Sequence, residues 1–110
     1  MLKKTILIDL NGVLNTYTGK FDKKFIPPLK DGAFEFIKNL SGNYKIKIFT
    51  TRNLLLASEW IINNELKDYI DNITNTKDPS YLIIDDRCIN FNGSYEDLKN
   101  QINDFKVWYN

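Results

Sequence analysis

Three carboxylates in this 110-residue chain stand where apolar runs break off. Ile6-Leu7-Ile8 ends in Asp9, and Tyr81-Leu82-Ile83-Ile84 ends in Asp85-Asp86. An apolar run that stops abruptly at acid reads as a buried strand delivering charge to one edge of a sheet. Two such strands side by side would crowd like charges, which is unfavourable unless a cation joins them. The economical cation is divalent with oxygen ligands, which points to Mg²⁺. Thr50 obeys the same placement, closing Ile46-Lys47-Ile48-Phe49, and Lys77 precedes the second acidic strand. The chain has no histidine and a single cysteine, Cys88. Histidine bases, Ser-His triads, internal disulfides and Cys/His metal cages are therefore excluded. Any catalysis must use carboxylates, lysine, hydroxyls and metal.

The elements that must position these groups follow from periodicity. Residues 4–10 predict a strand buried on both faces, and residues 44–50 an alternating strand with Ile46 and Ile48 opposed to Lys45 and Lys47. Short strands are expected near 72–75 and at 81–85, and helices over 29–41, 54–66 and 94–103. The chain should end in a last short strand or tail at Val107-Trp108-Tyr109. Residues 15–28, with Gly19, Pro27, Pro28 and three lysines among Tyr17, Phe21 and Phe25, read as a flap. Alternating strands and helices mean βαβ units and a mostly parallel, Rossmann-like sheet with helices on both faces. The expected fold is thus a three-layer α/β/α sandwich in one domain, 1–110. Ligands bind such sheets beyond the carboxyl ends of the strands, where Asp9, Thr50, Asp85 and Asp86 fall.

Composition narrows the function further. The formal net charge of +1 gives no field that would steer the chain to nucleic acid. No apolar run reaches the ~18 residues of a membrane span, and Ile6–Leu10 is too short for a signal peptide. A membrane role is not expected, and the cytoplasm is the expected location.

In order, Asp9 and Asn11, Thr50, Lys77 and Asp85-Asp86 resemble the four motifs of the haloacid dehalogenase-like superfamily. The resemblance runs from Ile6 to about Gly93, and the Asp85-Asp86-Arg87 form is similar to small capless members. It implies a Mg²⁺-dependent phosphatase or phosphotransferase working through an aspartyl-phosphate. Asp9 would be the nucleophile. Mg²⁺ would lie between Asp9, the backbone carbonyl of Asn11, Asp85 and Asp86. Thr50 and Lys77 would hold the phosphoryl group, with Thr51 and Arg52 as further substrate contacts. Gaps 15–28 and 66–76 leave no room for a cap domain. An open site suits a large phosphorylated substrate, or closure by a second copy of the chain.

One position departs from the pattern. Asn11 stands where the phosphatases carry the Asp that protonates the leaving group and then activates water. A carboxamide does neither, and such help is typically worth ~10²–10⁴ in rate. The alternatives are a substrate with a good leaving group, a proton from another group, replacement of a native Asp, or a non-catalytic protein that binds phosphate or metal without turnover. A receiver-like domain would carry its acidic pair at the start of the chain, the reverse of the order here.

Overall fold

The computed structural model describes residues 2–109; residues 1 and 110 of the expected domain lie outside them. Four strands form one all-parallel sheet: β1 (Lys4–Asp9), β2 (Tyr44–Phe49), β3 (Asn72–Thr74) and β4 (Leu82–Ile84). Their order across the sheet is β3-β2-β1-β4. The helices are α1 (Ala33–Ser41), α2 (Leu54–Asn63) and α3 (Tyr95–Asp104).

Register explains the core. Ile6 pairs with Ile46 and Leu82, and Ile8 with Ile48 and Ile84, so these side chains share one face. Ile37 of α1 and Ala57 and Ile61 of α2 join the same buried cluster. Right-handed crossovers that step in one direction along a sheet put their helices on one face, which is where both of these pack.

Helix boundaries differ from the periodic reading for identifiable reasons. α1 starts at Ala33 rather than residue 29. Leu29 forms an antiparallel bridge with Asn15, and the Lys30 amide donates to the Leu14 carbonyl at 2.8 Å, so this stretch is already committed to closing the flap. α2 starts where Asn53 accepts the Leu56 amide, and it stops at Asn63. Glu65 takes a left-handed φ of 61°. The Leu66 amide bonds the Ile61 carbonyl and the Glu65 amide the Ile62 carbonyl. This is a Schellman stop, in which Leu66 turns back into the core. No terminal strand forms: Val107 is buried and residues 108–109 lie in a turn.

The β4–α3 side is thinner. Ser94 caps α3 by accepting the Asp97 amide, yet α3 buries none of its residues. Leu82 and Ile83 remain 49% and 42% exposed. The radius of gyration, 14.9 Å, exceeds the roughly 13 Å expected at this length. No described helix is long and apolar enough to cross a membrane.

Candidate metal and phosphate site

β1 and β4 are neighbours although the chain visits β2 and β3 between them. This reversal of direction is the topological switch point, the crevice where parallel sheets bind ligands. Asp9 ends β1, and Asp85-Asp86 follow β4 directly. One carboxylate oxygen from each of the three lies within 4.8 Å of the others, all half-buried.

The electrostatics record the crowding. Burial, reinforced by the charges of Asp85 and Asp86, pushes the Asp9 carboxyl up from 3.8 to about 7. The Leu10 amide and the Arg87 cation pull the other way. Burial, then the Asp85 charge and a hydrogen bond to Asp85, raises Asp86 as well. A dication among three such oxygens would offset the repulsion, and the all-oxygen donor set suits Mg²⁺ or Ca²⁺ rather than a soft metal.

Gly12 lets the two acidic loops meet. Its φ is +83°, and a β-carbon there would run into the Asp86 carboxylate. The backbone conformation therefore favours glycine, and any side chain here would have to push the Asp86 carboxylate aside. The Gly12 carbonyl accepts the Trp108 indole N–H at 2.6 Å, tying the C-terminal tail to this loop. Tyr109 accepts from Arg87 Nη2 at 2.7 Å, a second tie to the other acidic loop.

Asn11 is held by a residue that periodicity does not single out. Fully buried Asn15 accepts the Gly12 and Tyr17 amides on its Oδ1, at 3.0 and 3.1 Å. Its Nδ2 must then be the donor, and it donates to Asn11 Oδ1 at 3.0 Å. The orientation of Asn11 follows: its own Nδ2 is the end left free as a donor. The only sequence cue was an Asn directly after Val13-Leu14. For Trp108 there was none, because its hydrogen bond spans 96 positions.

Thr50 is 3% exposed at the end of β2, beside β1. Its Oγ1 accepts the Arg52 amide at 3.1 Å, which leaves the hydroxyl hydrogen for another acceptor. Thr51 is exposed on the same turn. Arg52 is buried and donates from Nη1 to the carbonyls of Asp22 and Phe25 in the flap. Lys77 is exposed in the loop after β3. Its neighbour Asp78 pairs with Lys47 at 3.4 Å. The strand ends thus gather Asp9, Asp85 and Asp86, with Asn11 two residues past Asp9 and Thr50 at the end of the neighbouring strand, while the cation whose field reaches Asp9 is Arg87. Cys88 is exposed.

The arrangement can hold a divalent cation on three carboxylates. No family model, curated protein or solved structure matches the chain.

Proposed function

We propose that this chain is a Mg²⁺-dependent phosphohydrolase or phosphotransferase of the haloacid dehalogenase-like type, with the three-layer core of that superfamily and no cap. The observation that carries the reading is the carboxylate triad across the switch point, Asp9 from β1 and Asp85-Asp86 from β4. Buried Thr50 on the adjacent strand end supports it.

Asp9, Asp85, Asp86 and the Asn11 carbonyl would hold the ion, which would supply charge neutralisation for an anionic nucleophile meeting an anionic phosphate. An Asp9 carboxylate oxygen attacks phosphorus, the P–O bond to the leaving group breaks, and an aspartyl-phosphate forms. Thr50 and the Asn11 Nδ2 donate to oxyanions of the phosphoryl group, stabilisation that is strongest as charge builds in the transition state. Asn11 has no proton to give, so the leaving oxygen leaves as an anion or takes its proton from water. Substrates with acidic leaving groups are favoured. Water likewise attacks the aspartyl-phosphate without a base at position 11, which slows release of phosphate.

A second reading, binding of phosphate or metal without turnover, is favoured by one observation: Asn15 locks Asn11 into its donor orientation. Phosphate release from p-nitrophenyl phosphate and from alkyl phosphates, with and without Mg²⁺, separates the two. The enzyme reading expects Mg²⁺-dependent release that Asp9→Asn abolishes and Asn11→Asp raises by ~10²–10⁴, most on alkyl phosphates. Silence of both the parent chain and Asn11→Asp, with Mg²⁺ and phosphate still bound, would leave the binding reading.

A further inference from the structure

Arg87 is a cation beside three carboxylates that forms a salt bridge with none of them. It follows Asp86 directly, and its amide donates to Asp85 Oδ1 at 3.0 Å, so the backbone sets it at the rim of the triad. The charges acting on Asp9 and on Asp86 include Arg87 and not Lys77, which is exposed in the loop after β3. Yet among the described residues the one salt bridge joins Lys47 to Asp78. Arg87 is exposed, and its guanidinium donates from Nη2 to the Tyr109 hydroxyl at 2.7 Å. A phenol is a neutral acceptor, so this bond fixes the guanidinium without cancelling its charge. Nε and Nη1 keep their N–H groups for an anion. The tether is itself seated. Val107 is buried, the Trp108 indole N–H donates to the Gly12 carbonyl at 2.6 Å, and the Lys30 ammonium lies 5.2 Å from the Trp108 ring centroid. A β-carbon on Gly19 would lie 3.9 Å from the Tyr109 ring, so the flap meets the tail at that point.

We propose that Arg87, held by Tyr109, is the cation that takes up the charge of the substrate's phosphoryl group at the acidic site, the part that the resemblance gives to Lys77. The inference rests on the reading of the triad as a metal and phosphate site. It adds which cation meets the phosphoryl group and why the tail is tied to both acidic loops. An arginine free to swing would pair with Asp85 or Asp86 and compete with the metal for their oxygens. The Tyr109 bond holds it off, leaving the carboxylates to the ion and the guanidinium to the phosphoryl oxygens. Charge neutralised on both partners lets an anionic nucleophile approach an anionic phosphate. Tyr109 is a positioning residue, acting through Arg87.

The test is calorimetric titration of the full chain with Mg²⁺, and then with inorganic phosphate at saturating Mg²⁺, at a pH well above 7 where Asp9 is ionised. Arg87→Gln should weaken phosphate about 10- to 100-fold, the usual loss for charged hydrogen bonds. Its Mg²⁺ affinity should hold or rise, because a cation beside the metal has been removed. A merely structural role in the acidic loop would weaken the metal as well. Tyr109→Phe keeps the ring and loses the tether, and should weaken phosphate about 3- to 10-fold with Mg²⁺ affinity unchanged. Added to Arg87→Gln, it should cost nothing further, since it acts through the residue already lost. Lys77→Gln should weaken phosphate less than Arg87→Gln does. Equal phosphate affinity in the parent chain and Arg87→Gln overturns the inference and leaves the proposed function standing. So does a loss of Mg²⁺ affinity that matches the loss of phosphate, or a Tyr109→Phe effect that adds in full to Arg87→Gln. No phosphate binding by the parent chain removes both readings together.

Discussion

The two sides of β1 are built differently. Toward β2, the sheet is backed by α1 and α2, and Ile6, Ile8, Ile37, Ile46 and Ile48 are buried together. Toward β4, the strand has three residues, Leu82 and Ile83 stay exposed, and α3 buries none of its residues. The acidic site straddles this boundary, taking Asp9 from the well-packed side and Asp85-Asp86 from the thin one. Packing therefore holds one half of the site. The other half hangs on three ladder pairs and on the ties from Gly12, Trp108 and Tyr109. A cation shared by both sides would join them, so ligand binding and the stability of the β4 edge should be linked.

The contrast is most sharply broken by truncating one side chain on each flank. Ile48→Ala removes a fully buried side chain and should cost about 2–5 kcal/mol in denaturant unfolding. Ile83→Ala, on the exposed strand, should cost under about 1 kcal/mol. Equal losses would mean that β4 is as well packed as β2.

Gly12→Ala strikes the junction itself. The left-handed backbone costs an L-residue about 1–2 kcal/mol, and the new methyl group displaces Asp86. Mg²⁺ affinity, measured calorimetrically, should fall at least 10-fold, about 1.4 kcal/mol of binding free energy in addition to the loss of stability.

Proton linkage gives a third probe. The folded pKa of Asp9, about 7, lies above the ordinary 3.8, so the folded chain holds this proton more tightly than the unfolded chain. The contribution of Asp9 is complete below about pH 4 and is lost as pH rises through about 7. Thermal melts in chelator should show stability declining across that window, with Asp9→Asn flattening the slope. Mg²⁺ needs the ionised carboxylates, so its stabilising effect should grow across the same window. A flat profile in the parent chain would mean that neither burial nor the neighbouring acids raise the Asp9 carboxyl.

The mildest probe compares two helix caps of like chemistry. Asn53→Ala and Ser94→Ala each remove a side-chain acceptor for a first-turn amide. Asn53→Ala should lower global stability by about 1 kcal/mol, because α2 is part of the cooperative core. Ser94→Ala should fray α3, seen as faster amide exchange over 95–98, with little change in the global midpoint.

Much of this arrangement was legible in the chain. The unbroken Ile6-Leu7-Ile8 run and the Ile46/Ile48 alternation placed β1 and β2 because burial dictates period directly. The acid after each apolar run marked the strand ends, and Asp9, Asp85 and Asp86 do converge. What failed to show was set by partners distant in sequence. The α1 start depends on Leu29 being taken by Asn15, and the α2 stop on Leu66 folding back to the core. Asn15 reads as an ordinary polar loop residue until its three hydrogen bonds are seen. Arg52 reads as a substrate contact, and its burial beneath Phe21 with hydrogen bonds to the Asp22 and Phe25 carbonyls is visible only in the fold.

Local sequence thus determined the parallel α/β character, the edge of the sheet that bears charge, and the carboxamide at position 11, because side-chain period and residue chemistry are properties of short segments. Only the tertiary structure decided that β4 lies beside β1, that Gly12 must make room for Asp86, that Asn15 orients Asn11, and that the Arg52 guanidinium is buried against the flap. Each of these depends on which distant backbone comes within a few ångströms, and in a chain molecule that is settled by packing and hydrogen-bond closure rather than by neighbours in sequence.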